Sequence, residues 1–366
     1  MSPVRIAVAG AGAFGRNHLR VYRELEKADA DVALVAALEP DAGRAAEIQA
    51  NYAIPVFKTA AELLAADLKL DAASVAVPTI FHHNVACELL AGGLDLLIEK
   101  PLAATLAQAD EIIALSERHG RIVQVGHLER FNPAIVAVEP RLRRPMFFEA
   151  HRLSIFTPRA LDVDVVLDLM IHDLDIVLRF AGSAVREVRA VGLPILSPRV
   201  DIANVRVEFD SGCVANFTAS RVSTERVRKL RFFEPRQYVS VDYARQDLLV
   251  IGVDHKIPPE IAAAIASGQM NAAALAQLAA KFGHKTADGP EAALGPGLSF
   301  AKPEVTPGEP LKLELQSFVE SVRTRREPRV TARQGRAALE LALAIQSTMD
   351  EHADRAGLHN FFLEGA

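Results

Sequence analysis

The sequence predicts an α/β protein, with a doubly wound parallel sheet first and then an α+β domain with a largely antiparallel open sheet. Through the first 126 residues, short apolar runs alternate with helical patterns, which is typical of βαβ units. From Val185 onward strand-like runs follow one another, and Asp210-Ser211-Gly212 indicates a hairpin turn between two of them. The chain has 366 residues and is 50% hydrophobic, so two domains can each bury a core.

The hydrophobic periodicity places the individual elements. In the first part we expect strands at 4–9, 32–38, 55–57, 72–77, 94–98 and 121–125, and helices at 14–27, 42–52, 59–68, 81–91 and 105–119. In the second part we expect a helix at 161–180 and strands at 185–191, 204–209, 214–220, 227–233 and 238–242. The remaining predicted elements are an alanine-rich helix at 261–282, a proline- and glycine-rich loop at 288–310 and helices at 311–322 and 332–352.

The first predicted strand stops at a glycine-rich turn. Gly10, Gly12 and Gly15 fit the pattern G-x-G-x-x-G between a buried strand and a helix. In that pattern the first glycine makes the turn, the second lets the backbone approach a pyrophosphate, and the third lets strand and helix pack closely. The helix start also presents N–H groups and a positive dipole end to phosphates. The turn therefore predicts dinucleotide binding, with an ordinary strand–turn–helix as the alternative.

An acidic residue, Glu39, follows the second predicted strand. A carboxylate about 20 residues beyond such glycines is placed to accept hydrogen bonds from the adenosine ribose. We expect no arginine beside it, so that a 2′-phosphate would meet only a carboxylate. The sequence therefore predicts NAD rather than NADP as the cofactor.

Two further polar segments follow predicted strands at the carboxyl edge of the sheet, where open α/β sheets bind ligands. Pro78 and Thr79 lead into a helix whose His82 either contacts cofactor or substrate or is an ordinary exposed histidine. Glu99 and Lys100, followed by a proline, end the fifth strand. A lysine in a partly desolvated crevice has its neutral form favoured and exchanges protons near neutral pH, whereas a plain surface lysine does not.

A polar segment at 125–133 links the two halves, where a crevice between domains would open. Arg130 is suited to clamp an anionic group through two hydrogen bonds, and Glu129 and Asn132 lie beside it as further candidate substrate contacts. The alternative is a crossing loop that is tied down by its own polar side chains.

The helix predicted at 161–180 carries a polar stripe on an otherwise apolar surface. At about 100° per residue, the stripe is about 80° wide and contains Asp164, Asp168, His172 and Asp175. A helix that is apolar nearly all round is buried, and buried ionisable groups need partners. The stripe therefore faces a ligand, or Asp168 and His172 form a structural pair that ties two elements together.

Composition argues against several other classes of protein. The formal net charge is −5, and no block of like charge indicates nucleic acid or an anionic membrane as a partner. Cys87 and Cys213 match neither a disulfide framework nor a metal-binding spacing, and we expect no metal site. We find no signal-peptide pattern ahead of the first strand and no apolar run of about 18 residues, so we expect a cytoplasmic protein without a membrane span.

Three motifs resemble the glucose–fructose oxidoreductase/inositol dehydrogenase/MocA family, and the resemblance covers nearly the whole chain. They are Gly10-Ala11-Gly12-Ala13-Phe14-Gly15, Pro78-Thr79-Ile80-Phe81-His82 and Glu99-Lys100-Pro101. The resemblance implies a Rossmann domain at 1–126 that binds NAD, and an α+β domain at 127–310 for substrate binding and oligomerisation. It also implies that the open sheet pairs with another subunit, in a homodimer or homotetramer, and that C-terminal helices at 311–366 pack back on the first domain.

The resemblance also implies roles for individual residues. Lys100 would lie beside the nicotinamide and be catalytic, and Asp168 and His172 match an Asp-x-x-x-His motif of the family's second domain. The chain has Leu167 and Met170 where the family often has glycine. The residues expected to bind the cofactor are Gly10, Gly12, Ala13, Phe14, Gly15, Glu39, Pro78, Thr79, His82, Glu99 and Lys100.

Within the family, the segments at 126–133 and 168–173 are most similar to the nucleotide-sugar branch. This implies NAD-dependent oxidation of the 3-hydroxyl of a UDP-linked 2-acetamido sugar such as UDP-N-acetylglucosamine. An aminotransferase would then act on the product, on the way to the diamino sugar of some lipid A. His172 or Lys100 would be the base, the other would bind the developing oxyanion, and Asp168 would orient His172. The alternatives are a cyclitol or free-sugar dehydrogenase of the same family and a nucleotide-sensing regulator on the same fold.

Overall fold

The computed structural model describes residues 2–28, 30–157, 163–253, 291–295 and 298–358. The chain divides into two compact units, residues 1–131 with 308–344 and residues 132–307 with 345–366. The C-terminal tail is therefore shared between the two units. The helix predicted at 261–282 lies outside the described residues. Among the described helices, none combines the length and the apolar character that crossing a membrane requires.

The first unit is built on a six-stranded parallel sheet. Its strands are β1 Val4–Ala9, β2 Val32–Leu38, β3 Val56–Phe57, β4 Ala72–Val75, β5 Asp95–Glu99 and β6 Val123–Gly126. They lie in the order β3-β2-β1-β4-β5-β6, and each neighbouring pair is parallel. This is the doubly wound order, in which the sheet reverses its direction of growth between β1 and β4. The predicted fold class is confirmed.

Five helices connect these strands, at bounds close to those predicted. They are α1 Gly15–Lys27, α2 Ala42–Tyr52, α3 Ala60–Ala65, α4 His82–Ala91 and α5 Leu106–His119. Asp41, Thr59 and Thr105 precede α2, α3 and α5, and each side chain accepts a hydrogen bond from the backbone N–H three residues later. Such caps satisfy N–H groups that have no partner within the helix, which sets where these helices begin.

The second unit is built on a nine-stranded, mostly antiparallel sheet. Its strands are β7 Phe147–Leu153, β8 Val185–Leu193, β9 Ile202–Phe209, β10 Val214–Ser220, β11 Val227–Glu234, β12 Gln237–Asp242, β13 Asp247–Val253, β14 Glu291–Gly295 and β15 Leu298–Ala301. The order is β14-β15-β13-β12-β11-β7-β10-β9-β8, and β7 and β10 are the parallel pair among the described strands of this second sheet. The prediction of a loop at 288–310 is wrong in part, because β14 and β15 lie within these bounds and pair antiparallel.

The helical part of the second unit differs from its prediction. After α6 Pro133–Val138, one turn of π-helix at Val166–Met170 leads into α7 Ile171–Ala181, and residues 158–162 lie outside the described part. A π turn closes hydrogen bonds one residue further along than an α turn, so a uniform spacing of 100° does not hold there. Asp164 lies ahead of the π turn and accepts hydrogen bonds from the N–H groups of Val166 and Leu167 at 2.8 and 3.0 Å. Asp164 is therefore a helix cap, not a member of a polar stripe.

The C-terminal helices are α8 Pro310–Thr324 and α9 Ala332–Ala356, and α8 completes the core of the first unit. Its apolar residues lie in one buried cluster with residues of β1, β2 and α1: Leu311, Leu315, Phe318, Val319 and Val322 with Ile6, Leu34, Leu19 and Tyr22. Burying each such large side chain contributes roughly 1.5–3 kcal/mol. The tail is therefore needed for the stability of the first unit.

A buried carboxylate, Asp201, organises the segment between β8 and β9 in the second unit. Its oxygens accept hydrogen bonds from the backbone N–H groups of residues 195, 196 and 197 at 2.6–2.9 Å and from the Nε of Arg221 at 2.7 Å. Arg221 also donates to the carbonyl of Val163 at 2.8 Å, directly ahead of the cap at Asp164. Burial alone would raise the pKa of Asp201, but Arg221, Ser197 and the N–H groups hold it at about 2. The ionised carboxylate thus braces the start of the helix that carries Asp168.

We expect Asp201→Asn to destabilise the folded protein at neutral pH. The folded pKa lies below the unfolded value of about 3.9, and the difference corresponds to roughly 2–3 kcal/mol. Because the folded pKa is lowered, this stabilisation is fully present above pH ~4 and is lost as the pH falls towards 2. Urea unfolding followed by circular dichroism checks both statements, with the exposed Asp210→Asn as control. Equal stability of Asp201→Asn and the natural protein at pH 7 would contradict the assignment.

Candidate active site

The glycine turn has the geometry that the sequence predicts. Gly10 has a φ of +92°, and a Cβ there would lie 2.7 Å from the carbonyl oxygen of Ala76. A Cβ on Gly15 would lie 1.9 Å from the carbonyl oxygen of Gly10, so α1 packs onto the turn only with glycine at that position. A Cβ on Gly12 would meet no atom within 4 Å. The second glycine therefore faces open space, where a phosphate can approach the backbone.

A cavity of about 460 Å³ opens beside this turn within the first unit. Its lining includes Gly10, Gly12, Glu39, Arg44, Lys58, Pro78 and Asn84. It lies at the carboxyl ends of β1, β2 and β4, which is where a doubly wound sheet binds a dinucleotide. Its volume is in the range of small-molecule sites. The cavity brings Gly10, Gly12, Glu39 and Pro78 together, while Ala13, Phe14 and Thr79 follow them directly in the chain.

Glu39 is buried at the end of β2 and carries several hydrogen bonds. One carboxylate oxygen accepts from the N–H of Ala11 at 2.9 Å, and the other accepts from the N–H of Asp41 at 3.0 Å and from Nη2 of Arg44 at 2.9 Å. Burial would raise the pKa of Glu39, but Arg44 and the two N–H groups outweigh burial and hold the pKa below its usual value. The expectation that no arginine lies beside Glu39 is wrong, because α2 places Arg44 there.

His82 lies within the fold instead of on its surface. The side chain is 1% exposed, Nδ1 lies 2.9 Å from the carbonyl oxygen of Pro101, and Nε2 lies 2.9 Å from that of Val77. Burial lowers the pKa of His82, while the two carbonyl oxygens favour its protonated form. The ring therefore links the segment after β4 to the segment that carries Lys100. These contacts engage both ring nitrogens with the protein, so His82 is not the ordinary exposed histidine of the alternative.

Glu99 and Lys100 differ in their surroundings. Glu99 is buried, and its Oε1 lies 2.9 Å from Nε2 of His18 on α1, a contact that the sequence did not predict. Gly126 faces the Glu99 carboxyl group, since a Cβ there would lie 2.8 Å from it. Lys100 is only half-buried. Glu99 therefore joins β5 to α1, and Lys100 is the more accessible of the two.

The segment expected to hold substrate is largely engaged by the protein itself. The Oδ1 atom of Asn132 accepts from the N–H of Ala134 at 3.1 Å and so caps α6, while its Nδ2 donates to the carbonyl of Tyr243 at 3.0 Å. Arg130 is 2% exposed and donates through Nη2 to Oε1 of Gln334 at 3.1 Å. Glu129 is buried as well. These contacts favour the alternative of a segment that its own polar side chains tie down.

In the second unit, Asp168 and His172 lie on either side of the junction between the π turn and α7. Asp168 is half-buried, and His172 is 9% exposed in the first turn of α7. The next residue, Asp173, binds Arg152 of β7 through two hydrogen bonds, from Nε at 2.7 Å and from Nη2 at 3.0 Å. The Arg152 guanidinium also lies over the ring of Tyr243, 5.1 Å from its centroid. This buried pair fixes the rotation of α7 about its axis and with it the direction of His172.

Known proteins resemble the chain along most of its length. A family model described as an oxidoreductase family with an NAD-binding Rossmann fold matches residues 4–127, and one for the GFO/IDH/MocA C-terminal domain matches residues 134–236. UDP-N-acetylglucosamine 3-dehydrogenase of Acidithiobacillus ferrooxidans is 36% identical over 249 residues, which are 68% of this chain and 77% of that protein. Inositol 2-dehydrogenase of Acidothermus cellulolyticus is 31% identical over 195 residues, 51% of this chain and 56% of that protein.

Solved structures extend the similarity to the whole fold. A structure of UDP-N-acetylglucosamine 3-dehydrogenase from Acidithiobacillus ferrooxidans matches with a TM-score of 0.79 and 29% identity, covering 96% of this chain and 99% of that one. The glycine turn, the cavity at the β1–β4 switch point and the second, mostly antiparallel sheet agree with both family models. The chain belongs to the GFO/IDH/MocA family of oxidoreductases, and its first unit is an NAD-binding Rossmann fold.

Proposed function

We propose that this protein is an NAD-dependent dehydrogenase that oxidises the 3-hydroxyl of UDP-N-acetylglucosamine to the 3-keto sugar. The similarity to UDP-N-acetylglucosamine 3-dehydrogenase, which is 36% identical over 249 residues, carries this proposal. The cavity in the first unit supports the cofactor part of it, because Gly12 leaves room for a pyrophosphate and Glu39 lies at the end of β2.

Two side chains supply the proposed acid–base chemistry. NAD, when bound, accepts the hydride from the carbon that carries the hydroxyl. The proton of that hydroxyl must pass to a base, and Lys100 and His172 are the two candidates. The group that does not take the proton donates a hydrogen bond to the developing oxyanion. Asp168 and the Arg152–Asp173 pair set the orientation of the segment that carries His172.

His82 has a positioning role in this proposal. It contacts the carbonyl of Pro101, the residue after Lys100, and the carbonyl of Val77 beside the cavity. The Nδ1 contact is buried and the Nε2 contact is partly buried, so the imidazole fixes the backbone at Lys100 relative to the cavity wall. His82 therefore acts through Lys100.

A second candidate function is the oxidation of a cyclitol or a free sugar. It is favoured by the hydrogen bonds of the 125–133 segment. Arg130 and Asn132 are engaged with protein groups there, which is not what a site prepared for a pyrophosphate would require. Inositol 2-dehydrogenase, 31% identical over 195 residues, is the corresponding relative. Under this candidate, a UDP group would add nothing to the rate.

We also propose that the enzyme acts in the cytoplasm as a homodimer or homotetramer and supplies a ketone to an aminotransferase on the way to lipid A. The open face of the second sheet supports the oligomer, because a half-buried aromatic cluster lies on it. The ring centroids of Phe147 and Phe233 are 5.5 Å apart, and those of Phe233 and Tyr238 are 5.1 Å apart. An apolar face of this kind is stabilised when it is covered.

The substrate is tested by comparing UDP-N-acetylglucosamine, free N-acetylglucosamine and myo-inositol, each with NAD. We expect the UDP-sugar to react and the free sugar to react very poorly, because remote contacts to the nucleotide help to position the reacting carbon. Since oxidation of a secondary alcohol by NAD is uphill, an aminotransferase with an amino donor is included to remove the ketone. Mass spectrometry then detects the 3-amino product. Faster turnover of myo-inositol or a free hexose would favour the second candidate.

The catalytic roles are tested by Lys100→Met and His172→Asn. We expect each to reduce turnover by about 10²–10⁴-fold, the usual contribution of a general acid or base. NAD affinity and the circular dichroism spectrum should stay close to those of the natural protein. Lys69→Met and His119→Ala, both at exposed positions, are the matched controls and should keep full turnover. Near-normal turnover in either test variant refutes its role, and loss of folding in His172→Asn indicates a structural one.

The cofactor preference is tested by calorimetry with NAD and NADP. We expect NAD to bind about ten- to a hundredfold more tightly, since a 2′-phosphate would displace hydrogen bonds to Glu39 worth roughly 1.5–3 kcal/mol. Glu39→Gln removes the negative charge and releases Arg44 towards a phosphate, so this ratio should shrink. Glu47→Gln, an exposed change on α2, the helix that carries Arg44, is the control and should leave the ratio unchanged. Equal or tighter binding of NADP to the natural protein would overturn the preference.

A further inference from the structure

Three side chains with metal-ligand chemistry meet between α4 and α5. His83 and Cys87 are four residues apart on α4 and therefore lie on one face, and Glu111 lies opposite on α5. One ligand atom from each lies within 4.8 Å of the other two. The spacing of the two cysteines predicted no metal site, but Glu111 comes from a second helix, 24 residues beyond Cys87 in the chain.

The orientation of His83 points to a cation. Its Nδ1 lies 3.1 Å from the amide oxygen of Asn84, which accepts a hydrogen bond from the tautomer that carries the hydrogen on Nδ1. In that tautomer Nε2 directs a lone pair at Oε2 of Glu111, 2.8 Å away. Two such acceptors approach closely only when a cation, either a proton or a metal ion, lies between them. Metal-bound histidines commonly donate their second N–H to an oxygen in this way.

We propose that Nε2 of His83, Sγ of Cys87 and the carboxylate of Glu111 bind a zinc-class divalent ion, with water as the fourth ligand. Nitrogen, sulfur and oxygen donors together suit a borderline-soft ion, and ligand distances of about 2.0–2.3 Å are required. His83 is 18% exposed and Glu111 64% exposed, so the carboxylate is able to rotate inwards and one coordination position faces solvent. A protonated His83 would account for the short contact between its Nε2 and Glu111, but it would not involve Cys87.

The proposed ion would join α4 to α5 beside the dinucleotide cavity. Asn84 orients His83 and also lines the cavity, and His82 is the neighbouring residue on the same helix. The site is nevertheless separate from the cofactor site, because His83 and Cys87 face α5 whereas Asn84 and Glu88 face the cavity. Metal binding is therefore measurable without any assay of turnover.

Cobalt(II) is the probe, added to the full-length protein without a polyhistidine tag after treatment with a chelator. We expect one cobalt ion per chain, a sulfur-to-cobalt charge-transfer band in the near ultraviolet, and displacement of cobalt by zinc. Cys87→Ser should abolish the band. His83→Ala and Glu111→Gln should weaken binding by at least the ten- to hundredfold that the loss of an outer-shell partner costs.

Two matched variants serve as controls. His119→Ala removes an exposed imidazole of α5, and Cys213→Ser removes the other, buried thiol, and both should retain the band. Circular dichroism establishes that each variant is folded. If Cys87→Ser does not fold, protection of Cys87 from alkylation by added zinc in the natural protein replaces it. Absence of the band, its persistence in folded Cys87→Ser, or unprotected alkylation of Cys87 would overturn the proposal.

Discussion

The close approach of two backbone segments at the first turn fixes the arrangement of the cofactor cavity. A Cβ at Gly15 would lie 1.9 Å from the carbonyl of Gly10, and one at Gly10 would lie 2.7 Å from the carbonyl of Ala76. The turn after β1 is therefore pressed against the segment after β4, with α1 starting on top of it. Glu39 binds the N–H of Ala11 and holds the same turn to the end of β2. The segment after β4, the start of α1 and the end of β2 thus hold the residues on either side of Gly12, which leaves the backbone of Gly12 facing a ligand.

How much of the fold was predictable depended on how deeply each element is buried. β1 and β2 are covered on both faces, their sequences are apolar apart from Arg5, and their observed bounds are the predicted ones. β7 was missed because Glu149 and His151 alternate with its buried residues, and its pairing with two distant strands is not encoded locally. Asp164 was wrongly assigned to the polar stripe because a uniform helical spacing does not hold through the π turn that follows it.

The candidate site shows the same limit at the level of side chains. The glycines and Glu39 were identifiable because their roles depend on backbone geometry and on position after a strand. The partners of Asp173, Glu99 and Arg130 were not, since Arg152, His18 and Gln334 reach them from elements far away in the chain. A sequence shows that a buried charge needs a partner but not which residue supplies it. For Asn132, the sequence predicted a substrate contact, and the structure adds a helix cap.

His82 and His83 show how neighbours decide the chemistry of one residue type. At the start of α4 the two rings point in different directions, one into the fold and one towards α5. His82 meets two carbonyl oxygens in a buried place and thereby joins two loops beside the cavity. His83 meets one amide oxygen and one exposed carboxylate, and Cys87 lies one turn further on. Burial lowers the pKa of His82 and suits it to a fixed structural contact, whereas the partly buried ring of His83 keeps a nitrogen directed at a position that an ion can reach.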